Sequence, residues 1–307
     1  MGRRHAAAGV GGALLAALIL VAPPLRGQEI YYDGSLQFST GDYLFTERTN
    51  SAYLFSGLRI DWDRVTLSAD LPVIWQSTPW VSYAGGGPIP SGGPQHGEVG
   101  DTLRRRGGGP GGGSGPGGDA SGPGGSVAGA VTDRGSIPLR DTVTYDEVGA
   151  GDPTLRLAVE LLSGDRGALS VTLSGTVKAP LADPDAGFGT GEWDGGAVLG
   201  LSRRLGQAFL YADVGYWVYG DMPGVELADP VTYSAGVGLV PGGGRMGLLA
   251  SVSGSSRILE GTDPPLELGL GVNFGFPERR SLGATISLGL TESSPDFSAG
   301  LGWSLGL

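Results

Sequence analysis

From residue 231 to its end the chain alternates with a period of two. Val231-Thr-Tyr-Ser-Ala-Gly-Val-Gly-Leu-Val240 and Leu266-Glu-Leu-Gly-Leu-Gly-Val-Asn-Phe-Gly-Phe276 put aliphatic or aromatic residues at one parity. Gly, Ser, Thr, Asn or a single charge occupy the other, the signature of strands with one apolar face. The same alternation recurs upstream and predicts twelve strands, at 30–39, 51–62, 64–76, 153–162, 168–180, 192–204, 207–219, 230–240, 245–257, 265–276, 281–291 and 296–307. A soluble sandwich buries its apolar parity and carries long charged residues on the other. Here the second parity is small and mostly uncharged, the inverted arrangement of a barrel whose apolar side meets lipid. The predicted fold class is all-β, a transmembrane antiparallel up-and-down β-barrel of about 12 strands.

Strand lengths and loop lengths agree with that class. A tilted strand crosses a bilayer in about 9–11 residues, and short connections follow the second, fourth, sixth, eighth and tenth predicted strands while most of the others are longer. Bacterial barrels have short periplasmic turns and longer external loops, which places the long connections outside the cell. The longest, 77–147, breaks the alternation. From 84 to 136 it is dominated by Gly, Pro and Ser, too little apolar surface to offset the entropy of ordering. It reads as a disordered Gly-rich, low-complexity extracellular loop insertion. Its Arg104–Arg106 cluster reads as solvated, and its glycine runs lack the strand–loop–helix context and Lys-Ser/Thr ending of a phosphate loop.

The N-terminus adds a compartment. Arg3, Arg4 and His5 precede an apolar run from Ala6 to Ala22, and small residues lead to Gly27. This is the pattern of a secretory signal peptide over 1–27, leaving 28–307 as the barrel domain and the outer membrane as its destination. Cleavage would remove Arg3, Arg4 and Arg26 and no acid, taking the formal charge from −11 to −14. An acidic chain argues against nucleic acid as a partner. The absence of cysteine excludes disulfides and thiolate metal sites. No later apolar run is long enough for a transmembrane helix, so a closed barrel is the remaining way to span. The expected partners are outer-membrane lipid and lipopolysaccharide, the outer-membrane barrel-assembly machinery and a small-molecule solute, with the barrel acting as a monomer and no cofactor.

The middle of the chain resembles a family of outer-membrane barrel proteins assigned to transport in the MetA pathway of phenol degradation. The resemblance covers about residues 148–240. It rests on Gly149-Ala-Gly-Asp152 opening a strand, Val177-Lys-Ala-Pro180 followed by Gly189-Thr-Gly-Glu-Trp-Asp194, and Arg203-Arg-Leu-Gly206 followed by Tyr211-Ala-Asp-Val-Gly-Tyr216. It implies a transporter-like barrel and points to hydrophobic or aromatic solutes. The Gly-rich insertion and the terminal Leu307, where many such barrels end in an aromatic, depart from the pattern.

Inward parity selects the candidate lumen residues. The charged ones are Asp33, Arg59, Asp61, Asp70, Arg156, Glu160, Lys178, Asp194 and Asp213; the aromatic ones are Tyr31, Tyr53, Phe55, Tyr211, Trp217 and Tyr219. The charges read either as ion pairs that stiffen the barrel, since an unpaired confined charge is costly, or as a constriction that filters solutes. The aromatics read either as packing or as a path for an apolar solute. Loop acids Asp183, Asp185, Glu192, Asp194, Asp221, Glu226 and Asp229 lack the spacing of a calcium loop and read as a solvated rim. Catalysis is not expected: beyond the signal the one histidine, His96, lies in the insertion, without the rigid support a catalytic group needs. Two functions remain from the sequence: a channel or transporter-like barrel for a small solute, hydrophobic or aromatic by the resemblance, or a structural or surface-display barrel with a closed lumen.

Overall fold

The computed structural model describes residues 27–107, 136–139, 145–163, 169–222 and 224–307. The predicted signal segment before Gly27 and the stretch 108–135 lie outside the described residues. Strands β1 (Gln28–Gly41), β2 (Thr49–Trp62) and β3 (Val65–Gln76) open the barrel. A short hairpin, β4 (Ser82–Ala84) and β5 (Gly87–Ile89), and helix α1 (His96–Gly107) follow. The barrel resumes with β6 (Glu147–Ala150), β7 (Thr154–Leu162), β8 (Leu169–Lys178), β9 (Asp194–Leu205), β10 (Ala208–Val218) and β11 (Val231–Leu239). It ends with β12 (Met246–Ser255), β13 (Leu266–Phe276), β14 (Arg280–Gly289) and β15 (Phe297–Gly306).

Each of these strands pairs antiparallel with its neighbours, and β1 pairs with β15 from Tyr31↔Gly306 to Thr40↔Phe297, which closes the cylinder. Strands β6 and β7 share one position in the wall: β6 pairs with the upper part of β3 and β7 with its lower part. They count as one interrupted strand, so the barrel has twelve. The interruption has a local cause. Pro72 on β3 has no amide hydrogen for the ladder, its carbonyl accepts from Gly151 N–H at 2.8 Å, and Pro153, also without an amide hydrogen, immediately precedes β7.

Register fixes which parity faces out. Leu36, Leu54, Leu157, Leu173, Leu210, Val237, Leu270, Ile286 and Leu301 all project from the outer wall and are exposed, forming an apolar belt around the cylinder. Among the described residues no helix is long and apolar enough to cross a membrane; the strands supply that belt instead. Inside, glycines face large rings on the next strand. Gly236 lies opposite Tyr211 and Gly238 opposite Phe209, and a Cβ on Gly238 would come within 1.9 Å of the Phe209 ring. These glycines do not simply widen the lumen, because neighbouring aromatics lie across them.

The insertion differs from the expectation in its first part. Residues 77–107 are folded, with Trp80, Val81, Ala84, Ile89, Val99 and Leu103 all buried. Their cover comes from Ile137, later in the same connection, and from other long loops: Tyr43, Leu44 and Phe45 after β1, Met222, Val225 and Leu227 after β10, and Leu259 after β12. On α1, Val99 and Leu103 are one helical turn apart and share the buried face. Gly100 on the same helix meets the Gly224 carbonyl so closely that a Cβ would lie 2.1 Å from it, so this contact requires glycine. A low average hydrophobicity concealed a few apolar residues with partners far away in sequence.

Candidate functional site

The inward charges form separate groups rather than one ladder. Toward the short-turn end, Arg59 donates from Nε to Asp33 Oδ2 at 2.7 Å, pairs through Nη1 with Asp61, and reaches Ser304 Oγ at 3.2 Å. Its guanidinium lies 4.1 Å from the centre of the Tyr31 ring, and the Tyr31 hydroxyl donates to Glu29 at 2.7 Å. This cation is satisfied on all sides. Asp70 sits against Gly57, where a Cβ would be 2.1 Å from its Oδ1.

Toward the long-loop end, Lys178, Asp152 and Asp194 are fully buried. Lys178 Nζ lies 2.6 Å from Asp152 Oδ2 and 3.2 Å from Asp194 Oδ2, and donates to Thr190 Oγ1 at 3.0 Å and the Glu192 carbonyl at 3.1 Å. Buried charges persist only when paired and hydrogen-bonded, and the two carboxylates use their remaining lone pairs on backbone. Asp152 Oδ1 accepts from Leu181 N–H at 2.8 Å and Ala182 N–H at 2.7 Å, fastening the 179–193 loop. Asp194 accepts from Gly220 N–H at 3.2 Å and from Gly85 N–H at 3.0 Å. Gly85 is in the turn of the β4–β5 hairpin, so Asp194 ties that hairpin to the wall.

The hairpin reaches the inner face of the barrel. Tyr83 packs on Tyr53 and Phe55, with ring centres 5.5 and 5.6 Å away. Gly85 and Gly86 lie against Trp217 and the Tyr219 hydroxyl. Burial holds the Tyr219 phenol well above the ordinary tyrosine range, and the Asp194 carboxylate adds to the effect. The Tyr43 phenol, in the loop after β1, is raised mainly by burial as well.

Two cavities adjoin the hairpin. The larger, about 410 Å³, is lined by Gly86, Gly87 and Pro88 on one side and by Arg156, Asp213, Ser234, Ser253 and Glu267 among the wall residues. The smaller, about 220 Å³, lies between Tyr53, Tyr83 and Pro88 and the wall residues Gln37, Thr285 and Ser298. A third, about 540 Å³, lies nearer the short-turn end beside Phe209, Leu249 and Asn273.

The sequence candidates therefore sort by level. Tyr31, Asp33, Arg59 and Asp61 come together in the lower group, Lys178, Asp194, Trp217 and Tyr219 at the top, and Arg156 with Asp213 on the larger cavity. Tyr53 and Phe55 meet Tyr83, Tyr211 lies across Gly236, and Glu160 stands apart, opposite Thr172 in the β7–β8 register. Asp152, Glu267 and the hairpin itself were missed. Glu267 carried a signal, since it sits on the inward parity of a predicted strand. The loop acids are not a simple solvated rim: Asp194 is buried, Asp229 accepts from Tyr219 N–H at 3.1 Å, and Asp221 from Leu227 N–H at 3.0 Å. Among the described residues, no three His, Cys, Asp or Glu are grouped to hold a metal ion. His96 is ordered at the start of α1, its Nδ1 2.7 Å from the Gly93 carbonyl.

No protein-family model matches the chain, and no curated protein matches its sequence. Solved structures do match its shape. The crystal structure of an outer-membrane channel from Pseudomonas putida F1 aligns over 94% of this chain and 100% of that one, with a TM-score of 0.55 and 14% identity. The NanC porin aligns over 90% and 100%, with a TM-score of 0.48 and 8% identity. The P. putida toluene transporter TodX aligns over 95% and 92%, with a TM-score of 0.39 and 13% identity. The chain shares the barrel fold of an outer-membrane channel; the resemblance to the phenol-pathway family is not carried further by these comparisons.

Proposed function

We propose that this barrel is an outer-membrane channel for a small solute, with its path narrowed by the inward-folded segment 77–107. The observation that carries the reading is the closed twelve-stranded cylinder with an apolar outer belt and cavities along its inner face. A purely structural barrel has no need of a hairpin held beside such a cavity by a buried carboxylate. The long loops face the cell exterior and the short turns the periplasm, as in other bacterial barrels. Closure leaves no free strand edge for a second copy to pair with, which supports a barrel that acts as a monomer. The cavity beside the hairpin is lined by hydroxyls and charges as well as apolar groups, which favours a polar or amphipathic solute over the wholly hydrophobic or aromatic one implied by the family resemblance.

The test is single-channel conductance of the refolded full chain in a planar bilayer, beside a version with 79–144 replaced by a short Gly-Ser linker. The full chain is expected to conduct in small steps and the shortened chain in larger ones. Absence of conductance in both would overturn the channel reading and leave the closed-lumen scaffold.

A further inference from the structure

We infer that the lumen cavity of about 410 Å³ beside the hairpin is a binding site for a small zwitterionic solute, one carrying a carboxylate and an ammonium group a few bonds apart. The inference deepens the channel reading and rests on it for its physiological sense, although binding itself is measurable without transport.

The argument starts from how this barrel treats its other inward cations. Arg59 is met by two carboxylates, Asp33 and Asp61, and Lys178 by two more, Asp152 and Asp194. Arg156 is different. It donates from Nη2 to Ser174 Oγ at 3.1 Å, and among the described residues no carboxylate lies within ion-pairing distance of it. Its guanidinium lines the cavity and has further donors to offer.

The two acids on the same cavity are in the complementary state. Asp213 Oδ2 accepts from Ser234 Oγ at 2.8 Å, and Glu267 Oε2 accepts from Ser287 Oγ at 2.8 Å. Neither carboxylate has a cationic partner among the described residues. Each of the three charges is thus held by one serine hydroxyl and none is in an ion pair; Arg156 also feels the Asp70 carboxylate on the adjoining strand β3, which does not line this cavity, so its forked donors remain open to a ligand. The cavity's volume, about 410 Å³, falls in the usual range for small-molecule sites.

A solute with one charge would satisfy one side of this set and desolvate the other without recompense. A zwitterion satisfies both, its carboxylate on Arg156 in the forked geometry that guanidinium favours and its ammonium on Asp213, with Glu267, three strands further round the wall, adding negative charge on the far side of the same cavity. Ile258, Pro265 and Pro88 give apolar contact for the carbon chain between the charges.

The experiment uses the full chain in detergent and γ-aminobutyrate as the probe, with butyrate and butylammonium as single-charge controls. Titration calorimetry is expected to show γ-aminobutyrate binding at least about tenfold tighter than either control, since each charge-assisted contact contributes about 1.5–3 kcal/mol and 1.4 kcal/mol is tenfold. Arg156→Gln should reduce γ-aminobutyrate affinity at least about tenfold and bring it close to that of butylammonium. Asp213→Asn combined with Glu267→Gln should bring it close to that of butyrate. Arg156→Lys should restore part of the affinity, a result that a folding defect would not give. Equal binding of γ-aminobutyrate and butylammonium would overturn the inference, as would no binding of any probe to a protein that conducts. Binding by a protein that conducts in neither its full nor its shortened form would leave the site intact and refute the channel.

Discussion

Replacing Asp194 by alanine should release the hairpin without opening the barrel. Three interactions converge on that carboxylate: Gly85 N–H at 3.0 Å, Gly220 N–H at 3.2 Å and Lys178 Nζ at 3.2 Å. Removing one member of a buried charged set costs about 3–5 kcal/mol in all. The part that holds the hairpin is the bond from Gly85, a charge-assisted one of about 1.5–3 kcal/mol. That loss shifts the equilibrium between docked and undocked hairpin by roughly tenfold to a hundredfold. Lys178 keeps Asp152, and the backbone register of β8 against β9, ending at Lys178↔Asp194, does not depend on the side chain. In single-channel records Asp194→Ala should therefore show a large-conductance state roughly tenfold to a hundredfold more often than the parent. Protease cleavage within 82–89 should rise in parallel. Asp194→Asn, which keeps an acceptor for Gly85 but not the charge, should fall between the two. A folded Asp194→Ala protein with unchanged current levels and an equally protected hairpin would refute the reasoning.

The other predictions test different layers. Trp80→Ala, at a side chain 1% exposed, should weaken the capping core by about 3–5 kcal/mol, seen as faster amide exchange in 77–107 while strand amides stay protected. Gly238→Val should fail to form the barrel or lose the Phe209 packing, because its Cβ would meet that ring at 1.9 Å; gel mobility of the unheated protein reads this out. Burial raises the Tyr43 and Tyr219 phenols above the ordinary value of about 10, so the native state keeps protons that the unfolded state loses. Their contribution is whole below about pH 10 and is lost as pH rises through the native values; tyrosinate absorbance should lag behind that of the free amino acid until the capping core opens. Leu270→Arg, outward and 58% exposed, should cost about 2–4 kcal/mol of stability in bilayers. Ser251→Arg, on the inner face one strand away, should change conductance and leave stability nearly unaltered.

The barrel was legible because its physics is local. Alternation between Leu268, Leu270 and Val272 and their glycine neighbours states which side meets lipid, and the predicted strand limits fall close to those of β1–β3 and β7–β15. Parity alone also found Arg59 with its two acids and both ends of the Lys178–Asp194 pair. The hairpin was not legible for the opposite reason. Its apolar residues are few, carry no period, and find their partners in loops 42–48, 219–230 and 256–265, so nothing near them in sequence announces a core. Asp152 lies between two half-strands and has no parity to read. Glu267 could have been read inward, yet only the folded barrel shows that it shares a cavity with Arg156 and Asp213.

The hairpin and the proposed binding site are physically inseparable. Gly86, Gly87 and Pro88 form one wall of the cavity, and Gly85, adjacent to that wall, is where Asp194 holds the hairpin. A solute that touches this wall binds the docked state more tightly than the undocked one, so by linkage its binding must stabilise the docked hairpin. Solute in the cavity should thus lower the frequency of the large-conductance state, and weakening the Asp194 contact should weaken solute binding by the same factor by which it depopulates the site. An open-and-shut gate driven by the solute would need the reverse sign. The arrangement instead suits a channel in which the docked hairpin is a wall of the site that bound solute reinforces, with the third cavity beside Phe209 and Asn273 further along the inner face.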